Sequence, residues 1–267
     1  MSTFKAPEEA MALRPEGEEW VGEVAEGYDV FGIPHGGYLA ALGAQAILQG
    51  SSAPDLFSIT THYVRKANFG PIRFQVRPGG ASRRFGSWTA TARQGEKVVL
   101  EVMGLVGDRT GIQGPTWTSN PAWDAEGLDL DVMASQREER GFAPPEVARR
   151  FGLEIHGADL GFARGETLAE ARFRGRMRGD GGVLGALVGC DITPPAVWNA
   201  VGFTGWVPTV ELTAHVRARP APGPFRLDVQ TRYLGEGFLE EDALVWDARG
   251  QLVVQSRQLA RFSEIKS

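Results

Sequence analysis

The amino-acid sequence predicts an α+β fold made twice in tandem, each copy an apolar helix wrapped by an antiparallel sheet. Two helix candidates are apolar on nearly every side, and each is followed by strand-like alternating segments. The two halves also repeat one another residue by residue.

The first helix is predicted over His35–Gln49, "HGGYLAALGAQAILQ". Its Leu39, Ala40, Ala41, Leu42, Ala44, Ala46, Ile47 and Leu48 leave almost no polar face, the pattern of a buried helix. Strand candidates follow at 57–78, 85–94 and 96–107. The second half offers a helix over 181–201, "GGVLGALVGCDITPPAVWNAV", then strands within 207–234, 238–250 and 251–262. Arg65 answers Arg217, Gly70-Pro71 answers Gly223-Pro224, and Gly95 answers Gly250. A strand or two precedes each helix, within 18–32 and 150–177. This element order is that of the hotdog fold, and its duplication is a double hotdog whose two sheets join edge to edge. The expected division is an amino-terminal hotdog over 1–107, a linker over 108–145 and a carboxyl-terminal hotdog over 146–267. The linker is rich in Gly, Pro and acidic residues, and its Trp117 and Trp123 suggest that part of it packs on the surface.

Composition narrows the function classes. The chain is 42% hydrophobic and 23% charged, with a net charge of −5, which argues against a dedicated nucleic-acid binder. A lone Cys190 excludes an intrachain disulfide, and no grouped Cys and His spacing calls for zinc. The polar, acidic start is unlike a secretory signal, and no apolar run approaches the roughly 20 residues of a membrane span. The expectation is a soluble cytoplasmic protein with no metal and no cofactor, able to form a homodimer or a higher oligomer.

Four stretches, "PHGGYLAALGAQA", "THYVRKANFGP", "WVPTVELTAHVRARPAPGP" and "GFLEEDALVWDARGQLVVQSRQLA", together resemble the acyl-CoA thioesterases of the double-hotdog type, related to bacterial acyl-CoA thioesterase II. The likeness runs over Glu18–Gly107 and Arg150–Phe262. It implies hydrolysis of an acyl thioester without a metal or a covalent nucleophile. It also implies a catalytic Asp, Thr and Gln that hold and activate water, which match Asp191, Thr209 and Gln258.

The residues carry part of this independently. Asp191 stands in a run otherwise apolar or small, and a buried carboxylate needs partners. Pro194 and Pro195 withhold amide donors, so the helical path should loosen near Thr193. Alternation aims Gln258 inward. Counting from the paired glycines, its first-half counterpart is Met103, and counting from the paired arginines, Thr209 answers Phe57: polar in one copy, apolar in the other. Gly36, Gly37 and Tyr38 at the first helix start offer free amides for a developing oxyanion, and His35 joins them as a substrate-binding candidate whose alternative is a cap or a surface residue. Arg83, Arg84, Arg217 and Arg219 are candidates for coenzyme phosphates. Each feature has a structural alternative: Asp191 as a helix cap, Gln258 as partner of a buried backbone group, the glycines as a packing device, the arginines as surface charge. Cys190 lacks an activating base nearby. Two other functions stay open: a hydratase or dehydratase pairing Asp29 with His35, and an acyl-CoA-binding protein without turnover.

Overall fold

The computed structural model describes residues 4–119, 121–123, 144–203 and 205–264. Most of the expected linker, residue 120 and 124–143, lies outside the described residues.

One antiparallel sheet of thirteen strands runs through the molecule. Along its main path the first half contributes β1 (Arg14–Glu16), β2 (Glu19–Val24), β3 (Asp55–Tyr63), β4 (Gly70–Ala81), β5 (Phe85–Gln94) and β6 (Lys97–Gly107). The second half contributes β7 (Glu154–Ile155), β8 (Ala171–Met177), β9 (Thr209–Val216), β10 (Phe225–Thr231), β11 (Phe238–Trp246) and β12 (Leu252–Arg261). The spatial order is β1-β2-β4-β5-β6-β3-β9-β12-β11-β10-β8-β7, so the halves meet edge to edge at β3 and β9. Thr60 lies opposite Thr213 at this seam, and their hydroxyls are 2.9 Å apart.

Helix α1 (Gly36–Ser51) matches the predicted segment, and residues 37–44, 46 and 47 are buried between the sheet and the second helix. That second helix, α2 (Gly182–Gly189), is much shorter than the predicted 181–201. It closes with i→i−3 bonds from the Cys190 amide to Leu187 and from the Asp191 amide to Val188. Residues 190–197 then run irregularly past Pro194 and Pro195 to the single turn α3 (Trp198–Val201). The helix ends before Asp191, ahead of the expected loosening near Thr193, and the prolines with their constraint on Thr193 keep the following residues from resuming it. No helix of the described residues is long and apolar enough to cross a membrane.

The repeat is visible in the backbone. Gly70 (φ +112°) and Gly223 (φ +122°) both take a conformation closed to side chains, each before a proline. The amides of Arg65 and Arg217 bond to the carbonyls of Val99 and Val253. Each of those valines is the extra residue of a bulge, since Ala92 and Arg93 face Leu100 and Val98 while Val245 and Trp246 face Val254 and Leu252. Gly95 stands four residues before Val99 whereas Gly250 stands three before Val253, so counting from the glycines slips the register. Across the seam strands, Gln258 faces Leu212 as Gly104 faces Ile59. Its counterpart is therefore Gly104, not Met103, which is 59% exposed on the open side of the sheet. The matching breaks in pairing at Leu56/Ser58 and Thr209/Glu211 likewise make Leu56, not Phe57, the counterpart of Thr209.

Beyond one end of the seam Arg219 holds Asp55 through two bonds of 2.6 and 2.7 Å. The Arg109 amide adds a third at 2.8 Å, and its guanidinium bonds to carbonyls of both halves, Leu56 and Arg217. Burial would raise the Asp55 carboxyl, but Arg219 and the Arg109 amide hold it below the usual carboxylate range. Trp123, as expected of the inter-half segment, packs down and donates to Leu227 O at 3.0 Å, whereas Trp117 is 84% exposed. Replacing Asp55 by Ala should cost about 3 kcal/mol in urea unfolding, because it strands charges the carboxylate neutralises.

Candidate active site

A cavity of about 460 Å³ opens where the two halves meet. The start of α1 supplies His35 and Gly36, β3 supplies Tyr63, the segment after α2 supplies Asp191, and β9, β11 and β12 supply Thr209, Glu241 and Gln258. The rest of its wall is largely apolar, including Leu39, Leu153, Ile192, Val207, Leu239 and Ala260.

The short α2 makes this convergence possible. Asp191 leaves the helix end free to point across at α1, where its Oδ2 accepts the Gly37 amide at 2.8 Å. A Cβ on Gly36 would stand 2.7 Å from that same Oδ2, and one on Gly37 would stand 3.0 Å from Val188 O and 3.1 Å from Asp191 Cβ. The glycines thus serve close packing and carboxylate binding together. The Asp191 side chain is 12% exposed, so the carboxylate is neither free in solvent nor a cap on its own helix.

On its other side the Thr209 hydroxyl lies 3.3 Å from Asp191 Oδ1 and 2.7 Å from Gln258 Oε1. Gln258, 4% exposed, passes the network on from Nε2 to Glu241 Oε1 at 2.8 Å. Glu241 Oε2 accepts the Ala196 amide at 2.6 Å. Burial is the main cause that pushes the Glu241 carboxyl up to about 8. The three residues singled out from the sequence are brought together; Glu241 was missed. Its signal was present, since alternation places a carboxylate beside Gln258 on the inner face of β11.

His35 is the α1 cap and is buried, not at the surface. Its Nδ1 accepts the Tyr38 amide at 3.2 Å, which puts the ring proton on Nε2, 2.8 Å from Asp191 O. Nε2 also lies 3.4 Å from Asp191 Oδ2, so the partner of His35 is Asp191. Asp29 instead accepts the Gly32 amide within an exposed turn. Tyr38 does not reach the cavity: its hydroxyl is bonded to Ala10, Glu23 and Ala25 in the core. With the Gly37 and Tyr38 amides committed to Asp191 and His35, the Gly36 amide is the one remaining of the three expected at the oxyanion site.

Tyr63 was also missed. Its hydroxyl donates to Gly36 O at 2.8 Å, and burial, with Asp191 and Glu211 nearby, raises it well above the usual phenol range, so it stays neutral. Cys190 is buried with its thiol pushed up to about 12 by desolvation, which leaves no thiolate. Arg83 and Arg84 sit in the turn between β4 and β5 and do not line the cavity. Arg219 is held by Asp55, and Arg217 lies beside Phe57 and His215 outside the cavity. Among the described residues, the Arg and Lys side chains lining the cavity are Arg65 and Lys66. Arg65 drew notice in the sequence only as a marker of the repeat.

Models of the acyl-CoA thioesterase amino-terminal and carboxyl-terminal domains match residues 24–107 and 124–262. The chain belongs to the acyl-CoA thioesterase family. An uncharacterized protein of Mycobacterium tuberculosis is 46% identical over 77 residues, which is 29% of this chain and 26% of that protein. The match therefore spans about a quarter of that relative's length. Solved structures agree on the fold across nearly the whole chain. A hot dog protein of unknown function from Alicyclobacillus acidocaldarius has a TM-score of 0.79 at 19% identity, covering 97% of this chain and 98% of that one. An acyl-CoA thioesterase II from Mycobacterium marinum has 0.69 at 14% identity, covering 98% of each. A dehydratase domain of PpsC from Mycobacterium tuberculosis, solved with C12:1-CoA, is less similar at 0.58 and 12%, covering 97% of this chain and 100% of that one.

Gly36→Ala tests the close approach. Its added methyl should displace the Asp191 carboxylate and break the bond to the Gly37 amide, lowering the thermal midpoint by several degrees while circular dichroism stays native.

Proposed function

We propose that the chain hydrolyses acyl-CoA thioesters to free acid and coenzyme A. The observation that carries this reading is the meeting of Asp191, Thr209 and Gln258 within hydrogen-bond distance at the polar end of a largely apolar cavity. An acyl chain suits the apolar wall and the thioester carbonyl suits the polar end.

In this reading a water held by Asp191, Thr209 and Gln258 attacks the thioester carbon. Its proton passes to Asp191 as the new C–O bond forms. The Gly36 amide, at the positive end of α1, faces the oxygen on which charge develops. Collapse breaks the C–S bond, and the proton held by Asp191 accompanies the departing sulfur. Arg65 and Lys66 at the wall take the coenzyme phosphates, the role first sought in Arg83, Arg84, Arg217 and Arg219. The hotdogs at 1–107 and 146–267, a linker between them, a cytoplasmic setting, a place in fatty acid metabolism and self-association belong to the same reading.

One observation favours a second reading, a hydratase or dehydratase on enoyl- or hydroxyacyl-CoA: the 3.4 Å approach of His35 Nε2 to Asp191 Oδ2. Against it, Nε2 carries the proton donated to Asp191 O, so His35 is not placed as a free base. Incubation of the purified protein with a panel of acyl-CoAs decides between them. Thiol release is expected, and Asp191→Asn should reduce it by about 10²–10⁴-fold with folding intact. Hydration of crotonyl-CoA without thiol release supports the second reading, and binding without turnover supports a non-catalytic carrier. Lys66→Ala should raise KM for acyl-CoA by about tenfold while leaving KM for the matching acyl-pantetheine unchanged, because the latter lacks the nucleotide phosphates.

A further inference from the structure

The network around Asp191 contains a proton-counting problem. Thr209 Oγ1 has one hydrogen and two acceptors, Gln258 Oε1 at 2.7 Å and Asp191 Oδ1 at 3.3 Å. With Gln258 Oε1 toward Thr209, that hydrogen serves Gln258, and Asp191 Oδ1 receives none from Thr209. A half-turn of the Gln258 amide exchanges its oxygen and nitrogen without changing its shape. Nε2 then donates to Thr209, whose own hydrogen is released to Asp191. This second arrangement sets Gln258 Oε1 against Glu241 Oε1 at the 2.8 Å now spanned by Nε2, two acceptors that need a proton between them.

Glu241 is built to hold that proton. It is 4% exposed and its other oxygen already accepts the Ala196 amide at 2.6 Å. Burial raises its carboxyl to about 8, reinforced by Asp191 and Glu240, although the bonds from Ala196 and Gln258 act the other way. The repeat supplies an independent argument. Glu241 faces Gln258 across β11 and β12 as Trp88 faces Gly104 across β5 and β6. The fold is therefore made in the first half without a polar pair at this place, where a Cβ on Gly104 would press on Ile47 at 3.0 Å.

We propose that Glu241, in its neutral form, is a positioning residue that donates to Gln258 and so turns the Thr209 hydroxyl proton onto Asp191. The relay runs one way: Glu241 to Gln258, Gln258 to Thr209, Thr209 to Asp191, while Gly37 holds the far carboxylate oxygen. This rests on the hydrolase reading. Ionised Glu241 reverses the relay, because it draws Nε2 back and pulls the Thr209 hydrogen to Gln258 Oε1. Asp191 then loses an anchor and faces a second negative charge. Activity falls as pH rises through the range in which Glu241 ionises.

The test compares wild type, Glu241→Gln and Glu241→Leu in the full chain, with hexanoyl-CoA as probe and thiol release followed from pH 6 to 9.5. The Gln amide mimics the neutral acid permanently: its nitrogen donates to Gln258 and its oxygen accepts from Ala196. Wild-type kcat should fall above pH about 8, and Glu241→Gln should match wild type at pH 7 within about threefold and lose that alkaline limb. Glu241→Leu should lower kcat about tenfold or more at every pH with KM little changed. A second readout needs no turnover. A carboxyl raised from 4.5 to about 8 by folding lets stability fall as pH rises across that window. The thermal midpoint of wild type should therefore drop between pH 5 and 8 relative to that of Glu241→Gln. An unchanged alkaline limb in Glu241→Gln, equal loss in the Gln and Leu variants, or parallel stability profiles overturns the proposal. Absence of thiol release by wild type, or full activity of Asp191→Asn, sinks the hydrolase reading instead, and the stability comparison then still decides whether Glu241 is neutral.

Discussion

The bond from the Gly37 amide to Asp191 joins the two halves at the point where the cavity begins. It exists because α2 stops at Gly189 and α1 starts with two residues lacking side chains. A longer α2 would carry Asp191 round its own axis, and any Cβ on Gly36 would occupy the space of the carboxylate. The network through Thr209, Gln258 and Glu241 hangs from that anchored carboxylate.

Duplication explains why only one such network is built. The seam between β3 and β9 gives the halves equivalent frames, with Thr60 meeting Thr213 near the middle. Within those frames the second half carries Thr209, Glu241 and Gln258, while the first carries Leu56, Trp88 and Gly104. Side chains from the first half fill what the second half leaves polar: Ile47 of α1 lies over Gly104. One repeat carries the polar network, and the other supplies the helix start that faces it.

Much of the fold was legible from local pattern. A helix apolar on all sides has to be buried, alternation marks strands, and glycines with positive φ recur in both halves because the same turns recur. Asp191, Thr209 and Gln258 stood out through the family resemblance and through polarity on inward faces. The exact equivalences were not legible, because the matched residues sit one place out of register between the halves: Gly95 stands four residues before Val99 and Gly250 three before Val253, while Arg217 is in register with Val64 rather than Arg65. Met103 and Phe57 were one residue away from the true counterparts for that reason.

What the sequence by itself determined is the tandem α+β architecture and the identity of the polar residues aimed inward, because both follow from periodicity along one chain. Tertiary structure alone decided which groups meet. Arg83, Arg84 and Tyr38 lie away from the cavity, whereas Tyr63, Arg65 and Lys66 reach it from the end of β3 and the loop after it, and Glu241 reaches it from β11. Distances between residues far apart in the chain are set by strand register and helix length, and these depend on packing that no local pattern encodes.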